Sequence, residues 1–332
     1  MVVGEQRGGE VHPVTYELLA RGRRLADRLG EKLSCVTLGC NIGRCATEVI
    51  QRGADVVYLI DDPGLMHFLP RPYSNALVRL VKETAPEIVL AAATTTGRTI
   101  MPLVAAKLGT GLTADCTDLD IDEKERLLLQ TRPAIGGNIM ATIKTPLARP
   151  QMATVRPKSA RPLVADPSRK GEAVFKKYEP ITYITPERLL EFAKDTTQEV
   201  SVQDAEIIVS GGKGLKSRDN FRMVEDLARL LGAAVGATRD VVDLGWIGYP
   251  HQIGLSGKTV SPRLYVAIGL SGSVQHLAGM QTSETVVAIN KDKGAQIFKV
   301  ADFGIVGDLF DVVPELIDKL KHIKDAPAVA KR

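Results

Sequence analysis

The stretch LYVAIGLSGSVQHLAGMQTSETVVAIN, residues 264–290, reads as one repeating unit of an α/β fold. An apolar run from Leu264 to Gly269 leads at once into Ser271, Gly272 and Ser273. A short helical stretch through Leu277 follows, and then a second apolar run from Thr285 to Ile289. Strands that are apolar throughout and joined by helices belong to parallel sheets covered on both faces. The glycine turn after such a strand is also where these sheets bind ligands. Glycine lets the backbone come close, and the helix N-terminus points unpaired N–H groups at an anion.

Working upstream, the pattern occurs once more. Glu206 to Val209 is a strand, Ser210 and Gly211 to Gly214 form a glycine turn around Lys213, and Asn220 to Leu231 is a helix. Phe221, Val224, Leu227, Leu230 and Leu231 lie on or near one face of that helix. Downstream, Val306 to Leu320 supplies a closing helix. Neither turn is a Walker loop or a GxGxxG fingerprint. Taken alone, each reads equally as a plain tight turn, but two such junctions in one domain point to a dinucleotide site.

The first half alternates in the same way. Leu18, Leu19, Leu25, Ala26 and Leu29 share a helical face that stops at Gly30. Strands follow at Leu33 to Leu38, Val56 to Ile60 and Ile88 to Ala92, with helices through Cys45, Val49 and Ile50 and around Leu77, Leu80 and Val81. From Leu112 to Pro157 the segments become short and β-rich. Gly136, Gly137 and Asn138 turn between Leu127 to Thr131 and Ile139 to Ile143, which reads as antiparallel strands appended to the parallel sheet. Residues 156–186 hold five prolines, and Leu189 to Gln203 is polar. The division is therefore drawn as a domain over 1–195, a linker over 196–204 and a second domain over 205–332.

Length and composition limit the chemistry. At roughly 150 residues per domain, 332 residues suit about two domains. The 43 basic and 39 acidic residues leave a net charge of +4, too little to suggest a nucleic-acid binder. No apolar run nears the roughly 20 residues of a membrane span, and Met1 to Glu10 lacks a secretory pattern. A cytoplasmic protein is expected. Cys35, Cys40, Cys45 and Cys116 form no CxxC pair and read as small apolar residues in a reducing compartment. The five histidines, His12, His67, His251, His276 and His322, form no metal-binding spacing. With no nucleophile, base or metal constellation, redox chemistry would have to come from a bound cofactor.

The quoted unit, with GGKGLKS upstream, GAAVGATRDVVD between and VADFGIVGDLFDVVPEL downstream, closely resembles the alpha subunit of electron-transfer flavoprotein. The likeness is continuous over 205–320. The first half is similar more loosely, in its order of elements and in RPQMATVRP (149–157). The resemblance implies a Rossmann-like C-terminal domain that holds FAD and an N-terminal domain that pairs with a beta subunit. It also implies electron transfer between a flavoprotein dehydrogenase, such as acyl-CoA dehydrogenase, and another redox partner, with the C-terminal domain moving about its linker.

Carried over by position, the flavin contacts implied are Gly211, Gly212, Lys213 and Gly214, then Thr238 and Arg239, and the loop Ile253, Gly254, Leu255 and Ser256. Ser271, Gly272, Ser273, Val274, Gln275 and His276 come next, with Asn290, Asp308 and Leu309 completing the set. Ser271 to Ser273 would hold the pyrophosphate, and Arg239 would stabilise negative charge on the flavin ring. His276 would donate to the C2 carbonyl, and Ser256 would offer its hydroxyl at N5. Lys213, Leu255 and Ser256 stand where arginine, glutamine and threonine are common in the family. Considered without the family, His276 reads as a local cap or half-buried polar residue, Arg239 as a solvated or paired surface arginine, Asn290 as a turn residue and Asp308 as a helix-end residue. Thr94 to Thr96, after the strand Ile88 to Ala92, read as helix capping, because the family's nucleotide site of that type belongs to the partner. RPAIGGNIMATI (132–143) and RPQMATVRP are similar to the branch that bifurcates electrons, in which NADH reduces the complex and ferredoxin receives electrons. A nucleotide-binding regulatory module without redox activity is the remaining alternative.

Overall fold

The computed structural model describes residues 1–134, 139–179, 189–191 and 201–325. The chain divides into two compact units, Met1–Phe192 and Ala193–Arg332. The linker read at 196–204 lies for the most part outside the described residues.

Among the described residues, the first unit holds a seven-stranded sheet. Its order is Glu172–Phe175, Val56–Asp61, Ser34–Gly39, Val2–Gly4, Ile88–Ala92, Gln151–Val155 and Leu112–Cys116. Every neighbouring pair is parallel. Ile88–Ala92 and Gln151–Val155 are buried at every residue, as strands covered on both faces must be. One face packs on helices Pro13–Leu29 and Cys45–Gln51 through Leu18, Leu19, Leu25 and Val49. The other packs on Pro70–Thr84 and Thr95–Leu108 through Leu77, Leu80, Ile100 and Val104. Gly30 ends the first helix in the left-handed conformation (φ 69°), where glycine carries no Cβ penalty. Cys35, Cys45 and Cys116 are buried, and all four cysteines are free thiols.

The β-rich middle differs from expectation in one respect. Asp118–Asp122, Leu127–Pro133 and Met140–Ile143 pair antiparallel with one another in a sheet of their own. In the chain they lie between Leu112–Cys116 and Gln151–Val155, which pair with each other in parallel. The antiparallel sheet is thus an insertion between two neighbouring parallel strands. The expected turn at Gly136, Gly137 and Asn138 lies outside the described residues.

The second unit is a five-stranded parallel sheet, ordered Ala234–Ala237, Ile207–Gly211, Leu264–Ile268, Thr285–Asn290 and Phe303–Val306. From Ile207–Gly211 the chain first moves outward to Ala234–Ala237. It then returns to Leu264–Ile268 on the other side and continues in that direction. The order therefore reverses between Ile207–Gly211 and Leu264–Ile268, and a parallel sheet opens its ligand crevice at the carboxyl end of such a switch point. Helix Arg218–Leu231 buries Phe221, Val224 and Leu227 and is capped by Ser217, whose hydroxyl accepts the Asn220 N–H. Among the described residues, no helix is long and apolar enough to cross a membrane.

Candidate functional site at the carboxyl edge of the second sheet

Two glycine turns interlock at the switch point. The Gly212 N–H donates to the Ile268 carbonyl (2.9 Å), and the Gly214 N–H donates to that of Gly269 (2.8 Å). A Cβ on Gly212 would lie 2.5 Å from the Gly269 carbonyl oxygen and from Leu270 Cα, and one on Gly214 would lie 2.6 Å from the same oxygen. Gly272 has φ 77°, and a Cβ there would lie 2.4 Å from the Ile297 nitrogen. That nitrogen donates to the Ser271 carbonyl (3.0 Å). Beneath the turns, Gly211, Gly212 and Gly272 are buried; above them, Lys213, Gly214, Ser271 and Ser273 are exposed.

Two helices begin at this edge, Arg239–Asp243 after Thr238 and Val274–Met280 after Ser273. Neither N-cap hydroxyl makes a capping bond, whereas Thr94 and Ser217 elsewhere both do. The first-turn N–H groups of a helix have no partner inside it. The edge therefore offers hydroxyls and amides together, in the form that suits an anion. Arg239 is exposed and its Nε meets Asp243 at 3.1 Å, an ion pair in water of at most about 1 kcal/mol. Lys213 and Arg239 thus supply positive charge on flexible stems.

A third piece is the loop that follows Gln252. The Ile253 N–H donates to the Ala237 carbonyl (2.9 Å), and the Leu255 N–H donates to that of Gln275 (2.9 Å). The Ser256 hydroxyl accepts from Gln252 Nε2 (3.0 Å). Gly254 sits at φ 144°. The Leu255 side chain is 69% exposed, a large apolar surface beside the turns. Asn290 donates to the Leu270 carbonyl (2.9 Å) and accepts from the Asp292 N–H (2.9 Å). Asp308 accepts from the Phe310 N–H (2.9 Å), and Leu309 is buried against Gly269. Every residue assigned from the sequence thus sits on or just beyond the strand ends of this sheet.

His276 is buried beneath this edge. Its ring is 4% exposed, with Nδ1 at 3.0 Å from the Ile253 carbonyl and Nε2 at 2.9 Å from the Tyr265 hydroxyl. Both nitrogens thus lie within hydrogen-bonding distance of groups inside the chain. Tyr265, buried under the same edge, carries no assignment from the sequence. A tyrosine in an otherwise aliphatic strand was the available signal, since a buried phenol needs a partner.

In the first unit, Thr94 accepts the Gly97 N–H (3.1 Å) and caps helix Thr95–Leu108, while its hydroxyl also bonds Glu5. That hydroxyl is spent on the helix end and on a neighbouring carboxylate.

The second-unit edge holds no nucleophile paired with a base. It has glycines under a crest of amides, hydroxyls and two cations, with an apolar side chain beside them. That donor set matches a dinucleotide with a pyrophosphate and an aromatic ring.

Comparison with known proteins bears on both units. Residues 1–179 match the electron transfer flavoprotein domain family, and residues 201–281 match the electron transfer flavoprotein FAD-binding domain family. The electron transfer flavoprotein subunit alpha of Thermoanaerobacterium thermosaccharolyticum is 47% identical over 97% of this chain and 98% of its own. Protein FixB of Clostridium saccharobutylicum is 45% identical over 98% and 97%. The lactate dehydrogenase (NAD(+),ferredoxin) subunit LctC of Acetobacterium woodii is 41% identical over 94% and 74%.

Proposed function

The chain belongs to the electron transfer flavoprotein family, as an FAD-binding alpha subunit that pairs with a beta subunit, and from that premise we propose which residues hold the flavin and which partners the complex serves. Gly211 to Gly214, Ser271 to Ser273 and the start of helix Val274–Met280 hold the pyrophosphate through backbone N–H groups and the free Ser273 hydroxyl. Thr238, Arg239 and the loop Ile253–Ser256 flank the ring. Asn290 and Asp308 fix the strand ends, and Leu309 packs beneath Gly269. When bound, FAD supplies the exchange of one and two electrons that no side chain here provides. The positive charge of Arg239 favours electron density on the nearby ring and raises its potential. The interlocked glycine edge, free of catalytic side chains, is the observation that carries this reading.

The complex passes electrons between a flavoprotein dehydrogenase, such as one acting on an acyl-CoA, and a second redox partner. A specific observation favours a second reading. The relative LctC is named for NAD(+) and ferredoxin, and residues 132–143 and 149–157 resemble the bifurcating branch. In that reading NADH reduces the complex, and electrons pass separately to ferredoxin and to a dehydrogenase flavin. Co-purifying the chain with its beta subunit, counting flavins and titrating anaerobically with NADH distinguishes the two. One flavin and no reduction by NADH gives the plain carrier; two flavins and full reduction give bifurcation. A heterodimer that cannot take up flavin refutes both.

A further inference from the structure

We propose that Lys216 is a positioning residue for the flavin: its ammonium, resting on the Phe310 ring, fastens the first glycine turn to the closing helix. The proposal rests on the placement of the flavin at this edge. Lys216 is exposed and follows the one-turn helix Lys213–Leu215, with its backbone at φ 68° and ψ −33°. Its Nζ lies 4.7 Å from the centroid of Phe310, in the first turn of helix Leu309–Asp325.

The backbone is the first sign of a task. Among the described residues of the second unit, Lys216 is the one non-glycine with a positive φ. The chain must pass from the short helix to Ser217, the extended cap of helix Arg218–Leu231 (φ −148°), within this single residue. A side chain other than glycine, asparagine or aspartate is strained there and stays only where its surroundings hold it. Three hydrogen bonds do so: the Lys216 N–H donates to the Lys213 carbonyl (3.0 Å), while the Ser217 N–H and Asn220 Nδ2 both donate to that of Leu215 (2.8 Å each). The ring supplies the fourth hold, since its negative face attracts the ammonium.

The helix that carries the ring bears on both glycine turns. Leu309 lies against the second, where a Cβ on Gly269 would come within 2.6 Å of its Cδ2. One residue on, Phe310 takes Lys216 at the far end of the first. The Asp308 carboxylate accepts the Phe310 N–H (2.9 Å) and fixes the start of the helix. The first turn is thus held at Gly212 and Gly214 by the second turn and at Lys216 by the helix, with Lys213 exposed between the two holds. Without the ring contact the strain at Lys216 has less to offset it, and the turn relaxes away from the shape that offers its amides to a pyrophosphate. A lysine that touched the flavin directly would depend on its own charge and be indifferent to Phe310.

The test uses the FAD-loaded heterodimer. Lys216→Met and Phe310→Leu are each expected to raise the FAD dissociation constant about fivefold. Lys216→Arg should keep it, because a guanidinium stacks on the same ring. The double variant Lys216→Met, Phe310→Leu should lose no more than either single variant, since both break one tie. Additive losses overturn the proposal, and so does wild-type affinity in Phe310→Leu or a Lys216→Arg variant as weak as Lys216→Met. If Phe310→Leu does not assemble, hydrogen exchange at the Gly214 amide of Lys216→Met decides: faster exchange upholds the tie and an unchanged rate overturns it. Gly212→Ala separates the underlying reading: full FAD affinity there removes the placement and this proposal with it. Loss of FAD in Gly212→Ala but not in Lys216→Met sinks the positioning role only.

Discussion

Gly279 and Gly254 press backbone to backbone: a methyl group on Gly279 would lie 2.5 Å from both the Cα and the nitrogen of Gly254. Helix Val274–Met280 and the loop at Ile253–Ser256 can approach this closely only because neither position carries a side chain. Gly279→Ala is therefore expected to push the loop outward and weaken FAD binding by an order of magnitude or more. Its thermal midpoint should fall as well, since overpacking costs about 1–3 kcal/mol. Equilibrium dialysis of FAD against the heterodimer measures the first effect and a thermal melt the second. An alanine variant that retains wild-type affinity contradicts the close approach.

The buried His276 gives the second unit an acid weakness. In the unfolded chain a histidine titrates near 6.5; in the fold it resists protonation until about 4. Between those values the unfolded chain binds the extra proton, so stability falls as pH drops from about 6.5 toward 4 and levels off below. The slope from this residue is at most about 1.4 kcal/mol per pH unit. Urea denaturation at pH 7.5, 6.0 and 5.0 measures it, and His276→Gln should flatten the dependence.

Gly212 and Gly232 make an instructive pair. A Cβ on Gly212 would meet backbone at 2.5 Å, whereas around Gly232, which has φ 63°, there is nothing within 4 Å. Gly232→Ala should cost only the left-handed backbone preference, about 1–2 kcal/mol, with FAD affinity intact. Gly212→Ala should lose most FAD binding. Equal FAD loss in the two variants would mean that backbone strain, not the interlocking of turns, accounts for the effect.

Asp115, at φ 63°, is held by Arg156 at 3.2 and 2.6 Å and by Arg98 at 3.4 Å. Burial alone would raise its carboxyl, but the arginines outweigh it and hold the group below the usual range. Its stabilising effect is present above the unfolded value of about 3.9 and is lost as pH falls through and below it. Arg156→Ala should destabilise the first unit by about 2 kcal/mol and move its acid unfolding to higher pH. Circular dichroism during acid titration checks this, and FAD affinity should be unchanged.

Periodicity made the long elements legible. Ile88–Ala92 was read to the residue, and the helix ending at Gly30 was read from its apolar face and its stop. Strands of only four residues are too short to show a period. Ala234–Ala237 is short and built of small residues, and Phe303–Val306 is an edge strand exposed at every position. Glu172–Phe175 is a mostly exposed edge strand within a proline-rich stretch. At the site, the glycines announced themselves because only they tolerate such contacts. The burial of His276 against Tyr265 and Ile253 did not, because those partners stand 11 and 23 residues away in the chain.

The interlocking of Gly212 and Gly214 with Gly269 also bears on how the protein is made. The two turns follow strands that lie side by side but are separated in the chain by a whole outward excursion through Ala234–Ala237. Their contact forms only after that long loop has closed, which makes it a late, non-local event in folding. A flavin seated across both turns therefore binds the completed sheet and nothing earlier, and mass action draws the folding equilibrium toward completion. Cofactor supply during synthesis should thus control how much of the chain matures, and flavin starvation should show first as loss of protein rather than as colourless complex.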